Sequence, residues 1–530
     1  MYVIAYDFGN YYAQLCCIED MDPKTRRGGT FRTLLDSSSS NVHGIPSAFF
    51  WSDKVNGGEP VFGVEAENKK PGCNCIRYMK LHMHEKITLY SQYDKDGKPM
   101  GLGRAFSYDD IITQTVQYQV RHANRELQRA TGKTSNKIAL TYPAIFHSGQ
   151  RAHLVELVER ATLEDGTHLQ VVGTIMEPAA AALNYLAEQP GEQESQVAMV
   201  VDIGAGTFDL SLVEAYPNGR KDAKGNTYYY DVKWNDGSFR VAGIMFTQRL
   251  YQYALKQVPF AIRKRQEDDL LVDVEEAKRR LSDYESTIVT VSGPDEDVDI
   301  ELTRSKFEEL TADLMDQIIA KIQDAFNTPN LPTPDVIVIT GGASRMPMVE
   351  RRIKERFPNY KNKVDCHKPG EAIAQGAARY AAKEGGESKS GSSAKRAVRQ
   401  CTTYAIGIRY LDTTSPDLVP YISVMVPAGT VLPFTSKKER SYVVEPTRYS
   451  RYTVMEANCK NPDPYAPDRD WREVVSARKD HGRVAPVDTP SVSQITIDEN
   501  NMLFVEVTDP NKPSAPPVRA QSTNLNLTDF

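Results

Sequence analysis

An α/β body with a duplicated core, followed by an all-β unit, is the fold class that this 530-residue sequence predicts, and three observations predict it. A strand, a glycine turn with an acid at its mouth, and a returning strand occur twice, around Asp7 and around Asp202. Helical periodicity fills the chain between and after these hairpins. Past a Gly/Ser-rich stretch at residues 384–393 that period vanishes and short alternating segments replace it. The two acids lie much further apart than the ~20–50-residue period of a solenoid, so the pattern reads as a duplicated lobe. Two lobes imply a cleft.

Taken in order, residues 2–18 and 197–213 are the two hairpins. Ser107-x-x-Asp110 is a capping box, and Ile112, Val116, Val120, Ala123 and Leu127 fall on one helical face behind it. Ser305-x-x-Glu308 predicts a single helix carrying Phe307, Leu310, Leu314, Ile318 and Ile322. Val336 to Thr340 reads as a buried strand closed by Gly341-Gly342, and residues 348–357 as a helix. The expected domains are a nucleotide-binding body at 1–382, a flexible linker at 383–398, a β-sandwich at 399–510 and a disordered tail at 511–530. Within the sandwich, strands are expected at 404–411, 421–426, 441–444, 452–455, 494–497 and 502–507.

Composition narrows the function classes. Lys+Arg of 64 against Asp+Glu of 70 leaves a net charge of −6, which argues against a globally basic nucleic-acid surface. No apolar run approaches the ~20 residues of a membrane helix. The start, Met1 to Asp7, reaches a carboxylate before a signal-length apolar run forms, so folding is expected to begin at residue 2. Seven irregularly spaced cysteines suit a reducing compartment, and the expected location is the cytoplasm.

Glycine turns let backbone N–H groups approach phosphate oxygens, while acids at their mouths hold hydrated Mg²⁺ or orient water. The paired hairpins therefore predict a nucleotide cleft. At this point the motifs match a family. Asp202-Ile203-Gly204-Ala205-Gly206-Thr207-Phe208-Asp209 resembles the second phosphate motif of the actin-like ATPase superfamily, and its Gly-Thr-Phe-Asp ending is similar to the heat-shock 70 (DnaK-type) chaperones. Asp7-Phe8-Gly9 looks like their first phosphate motif. Thr141-Tyr142-Pro143-Ala144, Glu177-Pro178-Ala179, Glu275-x-x-Lys278-Arg279-x-x-Ser282, Gly341-Gly342-Ala343-Ser344-Arg345 and Glu371-Ala372-Ile373-Ala374 follow in the family's order, over residues 2 to about 382.

The resemblance implies a two-lobed actin-like ATPase fold, ATP or ADP with Mg²⁺ as cofactors, and roles for matching residues. Asp7, Asp202 and Asp209 would surround metal and γ-phosphate; Lys80 would stabilise charge on the transferring group; Glu177 would stand at the metal shell. The turns Gly9-Asn10-Tyr11 and Gly204-Ala205-Gly206-Thr207 would hold phosphates. Glu275, Lys278, Arg279 and Ser282, with Gly341, Gly342 and Arg345, would form the adenine and ribose pocket. Pro143 and Arg151 resemble the switch pair that reports nucleotide state. Implied partners are extended or unfolded polypeptide and a J-domain co-chaperone or exchange factor, with Ile408, Leu411, Tyr452 and Val454 as peptide-contacting candidates; nucleic acid and membrane are not expected. The family's helical lid has no counterpart before Phe530, so a lidless member is expected.

Departures from the pattern qualify those roles. Asn10 and Tyr11 stand where the family has two threonines, which predicts slow turnover. Ala205 replaces a glycine, harmless only at negative φ. Ala242-Gly243-Ile244-Met245-Phe246 lacks two acids of the family's stretch, and Gly370 stands where an acid is usual. The apolar linker strand is missing, with Val398 and its neighbours as a weaker docking segment. Two function classes follow: a slow ATPase chaperone, and a nucleotide-gated adaptor with negligible turnover. A sugar or acetate kinase of the same superfamily is disfavoured by the chaperone-type motifs. Cys73-x-Cys75 followed by His82-x-His84 has metal-ligating residue types at a spacing unlike common zinc fingers, so ordinary thiols and imidazoles are expected there.

Overall fold

Two sheets of the protein are built to one plan. In the first lobe β1 (Ile4–Phe8) turns back as β2 (Tyr12–Met21), β3 (Gly28–Thr33) extends it, and β4 (Lys137–Tyr142) and β5 (Gln170–Met176) add in parallel on the other side, giving the order β5-β4-β1-β2-β3. In the second lobe β6 (Gln196–Ile203), β7 (Phe208–Lys221), β8 (Thr227–Ser238), β9 (Val336–Thr340) and β10 (Val364–Cys366) repeat it as β10-β9-β6-β7-β8. β1 and β9 are buried along their whole length, the environment that lets a strand read as a continuous apolar run rather than an alternation. This computed structural model describes residues 2–22, 25, 27–35, 40, 43–69, 74–94, 98–189, 194–223, 225–381, 398–415 and 417–522.

Helices cover both sheets. α1 (Tyr108–Thr131) begins where Ser107 accepts the Asp110 N–H at 3.0 Å and stops at Gly132, whose φ of 71° a glycine adopts without strain. α2 (Ser148–Arg160) joins β4 to β5, and α3 (Glu177–Glu188) follows β5. The second lobe carries α4 (Gly243–Leu255), α5 (Lys264–Asp283), α6 (Arg304–Leu310), α7 (Ala312–Asn327), α8 (Pro347–Arg356) and α9 (Ala372–Ala381). The single helix expected from Ser305 is two, because Thr311 leaves helical geometry (φ −117°, ψ 10°) and its hydroxyl donates back to the Phe307 carbonyl at 2.8 Å. The cap is Thr303, which accepts the Lys306 N–H at 3.2 Å.

The lobes exchange their closing helices. α3 leaves the first sheet and packs on β6 and β7, while α9 leaves the second and packs on β1 and β2. Where the two helices meet, a Cβ on Gly376 would lie 1.8 Å from the Ala180 carbonyl, so only glycine permits the approach. This crossing brings residue 177, at the start of α3, to the mouth of the cleft.

β11 (Val398–Arg399) adds in parallel to β8, pairing Tyr230 with Val398 and Asp231 with Arg399. Arg399 seals it with its Nε 2.8 Å from Asp231 Oδ1. Residue 398, assigned to the linker from composition, thus belongs to a sheet; 382–397 lie outside the described residues. Two further sheets follow. β12 (Ile406–Leu411), β13 (Pro420–Val426), β14 (Thr447–Ala457) and β15 (Trp471–Ala485) run in the order β13-β12-β14-β15; β16 (Pro490–Ile497), β17 (Leu503–Thr508) and β18 (Val518–Gln521) are neighbours in the other. Ile406, Ile408, Val454 and Val475 from one sheet and Ile495, Ile497, Leu503 and Val505 from the other make one sandwich core.

Two expectations change here. β15 escapes a pattern search because only Val474, Val475 and Ala477 of its middle enter that core, among charged residues. The tail is not disordered from 511 onward: β18 pairs with β17, and Val518 and Ala520 pack on the core. Pro/Ser/Asn composition pointed the other way, but the open edge of β17 offers unpaired backbone groups that this alternating segment satisfies. Residues 523–530 lie outside the described part. Among the described residues no helix is long and apolar enough to cross a membrane.

Candidate functional site

The two hairpins point their acids at one spot. Asp7 stands near the end of β1, Asp202 near the end of β6, and Asp209 pairs with Asp202 across the β6–β7 ladder. Glu177 opens α3, and Lys80 sits on a 3₁₀ turn, Met79–His82. Lys80 Nζ lies 3.0 Å from Glu177 Oε1, and both side chains are buried. Thr141, at the end of β4, donates its hydroxyl to Asp7 Oδ1 at 3.0 Å; the Ile145 N–H donates to Asp209 Oδ1 at 3.2 Å.

Four buried carboxylates against one ammonium leave a surplus of negative charge. Burial, and then the Glu177 charge, pushes Asp7 up to about 7 and Asp209 up to about 8; the same causes, with Asp209 and Asp7 added, drive Asp202 well above its ordinary value. Asp202 Oδ1, Asp209 Oδ2 and Asn10 Oδ1 are buried without a hydrogen-bond partner. Unpaired hard oxygens in a pocket short of positive charge are the donor set for Mg²⁺, and the residues present fit it.

The turns shape the space around the acids. Gly341 holds φ at 87°, and a Cβ there would meet Asp202 Oδ1 at 2.3 Å. α4 buttresses the Gly204–Thr207 turn, with the Gly243 and Ile244 N–H groups donating to the Gly204 and Ala205 carbonyls at 2.9 and 2.8 Å. Ala205 stays out of the left-handed region, so it replaces glycine without backbone strain, whereas Gly370 adopts φ of 107°, which excuses the missing acid there. The turns touch across the cleft: a Cβ on Gly206 would lie 2.3 Å from Asn10 Nδ2. Gly9 and Thr207 complete the two turns, and Thr207 is buried.

Above this floor, Tyr11 takes two guanidinium groups over its ring, Arg77 at 4.4 Å and Arg279 at 4.3 Å from the centroid. Arg279 also donates to the Tyr12 hydroxyl at 2.8 Å and to Glu275 Oε1 at 3.2 Å. Lys278 lies 2.7 Å from Glu275 Oε2 and donates to Thr247 Oγ1 at 2.8 Å. Burial alone would raise Glu275, but Lys278 and Arg279 outweigh it and hold the carboxyl below its ordinary value. Glu275, Lys278 and Arg279 thus form one cluster. Arg345 is exposed and donates to the Pro369 carbonyl at 2.8 Å, the Ser282 carbonyl receives Arg304 at 3.3 Å, and Gly342 borders open space.

The residues expected as a switch pair lead outward. Pro143 is buried after β4, and its carbonyl accepts the Phe146 N–H at 3.1 Å. Arg151, on α2, donates to the Phe146 carbonyl at 2.5 Å and to Asn501 Oδ1 of the sandwich at 3.3 Å. Glu456 of β14 accepts the Ser148 N–H at 2.7 Å and lies 3.9 Å from Arg151. Of the peptide candidates, Ile408, Tyr452 and Val454 are buried in the sandwich core, while Leu411 is 40% exposed at the end of β12, so the four do not line one open groove.

The model of the Hsp70 protein family matches residues 85–419, more than half of the chain. The chain belongs to the Hsp70 family. It is similar to the chaperone protein DnaK of Thermotoga petrophila, 35% identical over 371 residues that cover 67% of this chain and 56% of that protein. It is also similar to the heat shock 70 kDa protein of Neurospora crassa, 27% identical over 349 residues, 62% of this chain and 50% of that one. The chain spans about half the length of the curated relatives it matches. Within this Hsp70 member, motif reading gave no role to Thr141, Arg77, Tyr12, Thr247, Glu456 and Asn501. Thr141 and Arg77 stood inside matched motifs, Thr141 one place past the Leu140 that pairs with Tyr6 of β1. The others converge from distant segments and carry no motif.

Proposed function

We propose that the chain is an Hsp70-type chaperone that binds Mg-ATP between its lobes, hydrolyses it slowly and uses lobe closure to alter how the β-sandwich holds an extended polypeptide in the cytoplasm. The observation that carries this reading is the buried Lys80–Glu177 pair among Asp7, Asp202 and Asp209, where paired glycine turns meet. Mg²⁺, when held by Asp7, Asp202 and Asp209 with Glu177 behind them, would supply charge neutralisation to the phosphates. The chain's own part is positional: unpaired carboxylate oxygens orient a water in line with the γ-phosphate, and Lys80 stabilises charge gathering on the transferred group. Arg151, 3.9 Å from Glu456, is the geometric reason for coupling the cleft to the sandwich. A J-domain co-chaperone or exchange factor would act on such a cycle.

Single-turnover hydrolysis tests the enzyme. The Asp202→Asn variant should release phosphate at least ~100-fold more slowly than the parent chain. Equal rates would end the ATPase reading. Peptide affinity measured with and without ATP tests coupling separately, and an unchanged affinity would remove the chaperone cycle. One observation favours the second reading, a nucleotide-gated adaptor with negligible turnover: Tyr11, capped by two guanidiniums, fills space where the family has a small hydroxyl.

A further inference from the structure

We propose that His84, Asp109 and His153 form a site for a divalent transition metal of the Zn²⁺ class, outside the nucleotide cleft. One ligand atom from each of the three lies within 4.8 Å of the others. His153 Nε2 is 3.0 Å and His84 Nδ1 3.7 Å from the same carboxylate oxygen, Asp109 Oδ2. A tetrahedral Zn²⁺ with bonds of ~2.0–2.1 Å sets neighbouring ligands roughly 3.3 Å apart, a spacing close to this one, and the imidazoles would turn out of their stack to point at the ion.

An ordinary buried hydrogen bond explains the cluster less well. His153 has only 2% of its side chain exposed, yet neither ring nitrogen makes an aligned hydrogen bond, and His84 Nε2 is buried and equally unpartnered. The two imidazoles stack face to face with centroids 3.8 Å apart, an arrangement unfavourable once both carry protons.

Supporting contacts of the kind metal sites use are already in place. Asp109 Oδ1 is fixed by the His84 backbone N–H at 2.8 Å, which leaves Oδ2 to the imidazoles. Glu156 Oε2 lies 3.6 Å from His153 Nδ1, just beyond hydrogen-bond reach, and would orient that imidazole through its other nitrogen once the ring turns toward a metal. Two imidazoles select against Mg²⁺ and Ca²⁺, which take oxygen ligands. Asp109 and His84 keep 18% and 17% of their side chains exposed, which opens a path for the ion and a position for water.

Of the other residues in the sequence motif, the two that are described stand apart from the cluster. His82 turns to Glu85 at 3.0 Å, Cys75 contacts the Ala66 carbonyl at 3.5 Å, and Cys73 lies outside the described residues. The ligands instead join the segment after the Lys80 turn to α1 and α2, so a bound ion would clamp that turn to the helix bearing Arg151.

The test uses the full, untagged chain stripped of metal, with Mg²⁺ in excess to occupy the acidic cleft, titrated with Zn²⁺ against a chromophoric chelator. One equivalent should bind, and X-ray absorption of the loaded chain should show nitrogen and oxygen at ~2.0–2.1 Å without sulfur. His84→Gln and Asp109→Asn, both partly exposed, should weaken binding at least ~100-fold, and Glu156→Gln about tenfold, with near-UV circular dichroism unchanged. Absence of binding by the parent chain, a sulfur shell, or Zn²⁺ affinity unchanged in both His84→Gln and Asp109→Asn would overturn the site.

Discussion

The two lobes share a strand order but not a turn. In the second lobe four residues, Gly204, Ala205, Gly206 and Thr207, connect β6 to β7; in the first, Gly9, Asn10 and Tyr11 connect β1 to β2. Thr207 and Tyr11 occupy the same place, the last residue before the returning strand. The partners of the leading acids differ as well: Asp202 faces Asp209 across its ladder, while Asp7 faces Gln14, which donates to the His43 carbonyl at 2.5 Å. A duplicated scaffold therefore aims both lobes at one point, each lobe supplying acids, and the turn residues decide which lobe adds bulk beside them. The first lobe brings Asp7, Lys80, Glu177 and the bulk of Tyr11; the second brings Asp202, Asp209 and the smaller turn.

The contrast is sharpest at the opening glycines. A Cβ on Gly9 would stand 2.2 Å from the Tyr12 carbonyl oxygen, a backbone atom that cannot move without breaking the β1–β2 turn. The equivalent Cβ on Gly204 would stand 3.2 Å from the Thr207 carbonyl, a gap that a shift of a few tenths of an ångström relieves. Gly9→Ala is expected to cost about 3 kcal/mol and Gly204→Ala less than about 1 kcal/mol, read from urea midpoints at constant m. Equal losses would mean that the shorter turn is no tighter than the longer one.

Tyr11 is the next difference to break. A guanidinium over an aromatic face is worth roughly 0.5–2 kcal/mol, and Tyr11 has two, so removing the ring also frees Arg77 and Arg279 for phosphate or adenine. Tyr11→Thr, which copies Thr207, should tighten Mg-ATP binding about tenfold by calorimetry, equivalent to about 1.4 kcal/mol. Weaker binding would make Tyr11 a platform for the nucleotide instead of an obstruction, and would take away the support for the adaptor reading.

What could be read from the chain follows the same divide between local and distant causes. Both hairpins, the Ser107 cap and the Gly341-Gly342 turn are written in consecutive residues, and so were legible. The break at Thr311 was not, since Phe307 and Leu314 keep helical spacing on either side of it and both are buried. β15 and β18 were missed because their pairing is dictated by neighbouring strands more than by their own composition. In the site, Asp7, Asp202, Asp209, Lys80 and Glu177 came from motifs, whereas the guanidinium cap on Tyr11 joins residues 11, 77 and 279, which no local pattern relates. The His84–Asp109–His153 cluster was half visible: two histidines stood out, but the partners of His84 came from helices rather than from the neighbouring cysteines.

The lobes also differ in how they hold the sandwich, and pH separates them. The first lobe uses the Ser148–Glu456 and Arg151–Asn501 contacts. The second is met by Lys460, which donates to the Thr403 carbonyl at 2.9 Å and to the Asn235 carbonyl of β8. Burial against this surface brings the Lys460 ammonium down from 10.5 to about 8, with Asp236 opposing the shift. An undocked Lys460 regains its ordinary value, so between pH 8 and 10.5 docking releases a proton and is favoured as pH rises; below pH 8 the lysine stays charged in both forms and the dependence flattens. The docking constant should therefore increase about fivefold between pH 8 and pH 9, the smallest of these effects, measured by energy transfer between labels on the second lobe and the sandwich. Lys460→Met should remove the rise while Glu456→Gln, acting at the first lobe, should weaken docking and leave the slope intact. A slope that survives Lys460→Met would move the titrating group elsewhere and leave the two attachments electrostatically alike.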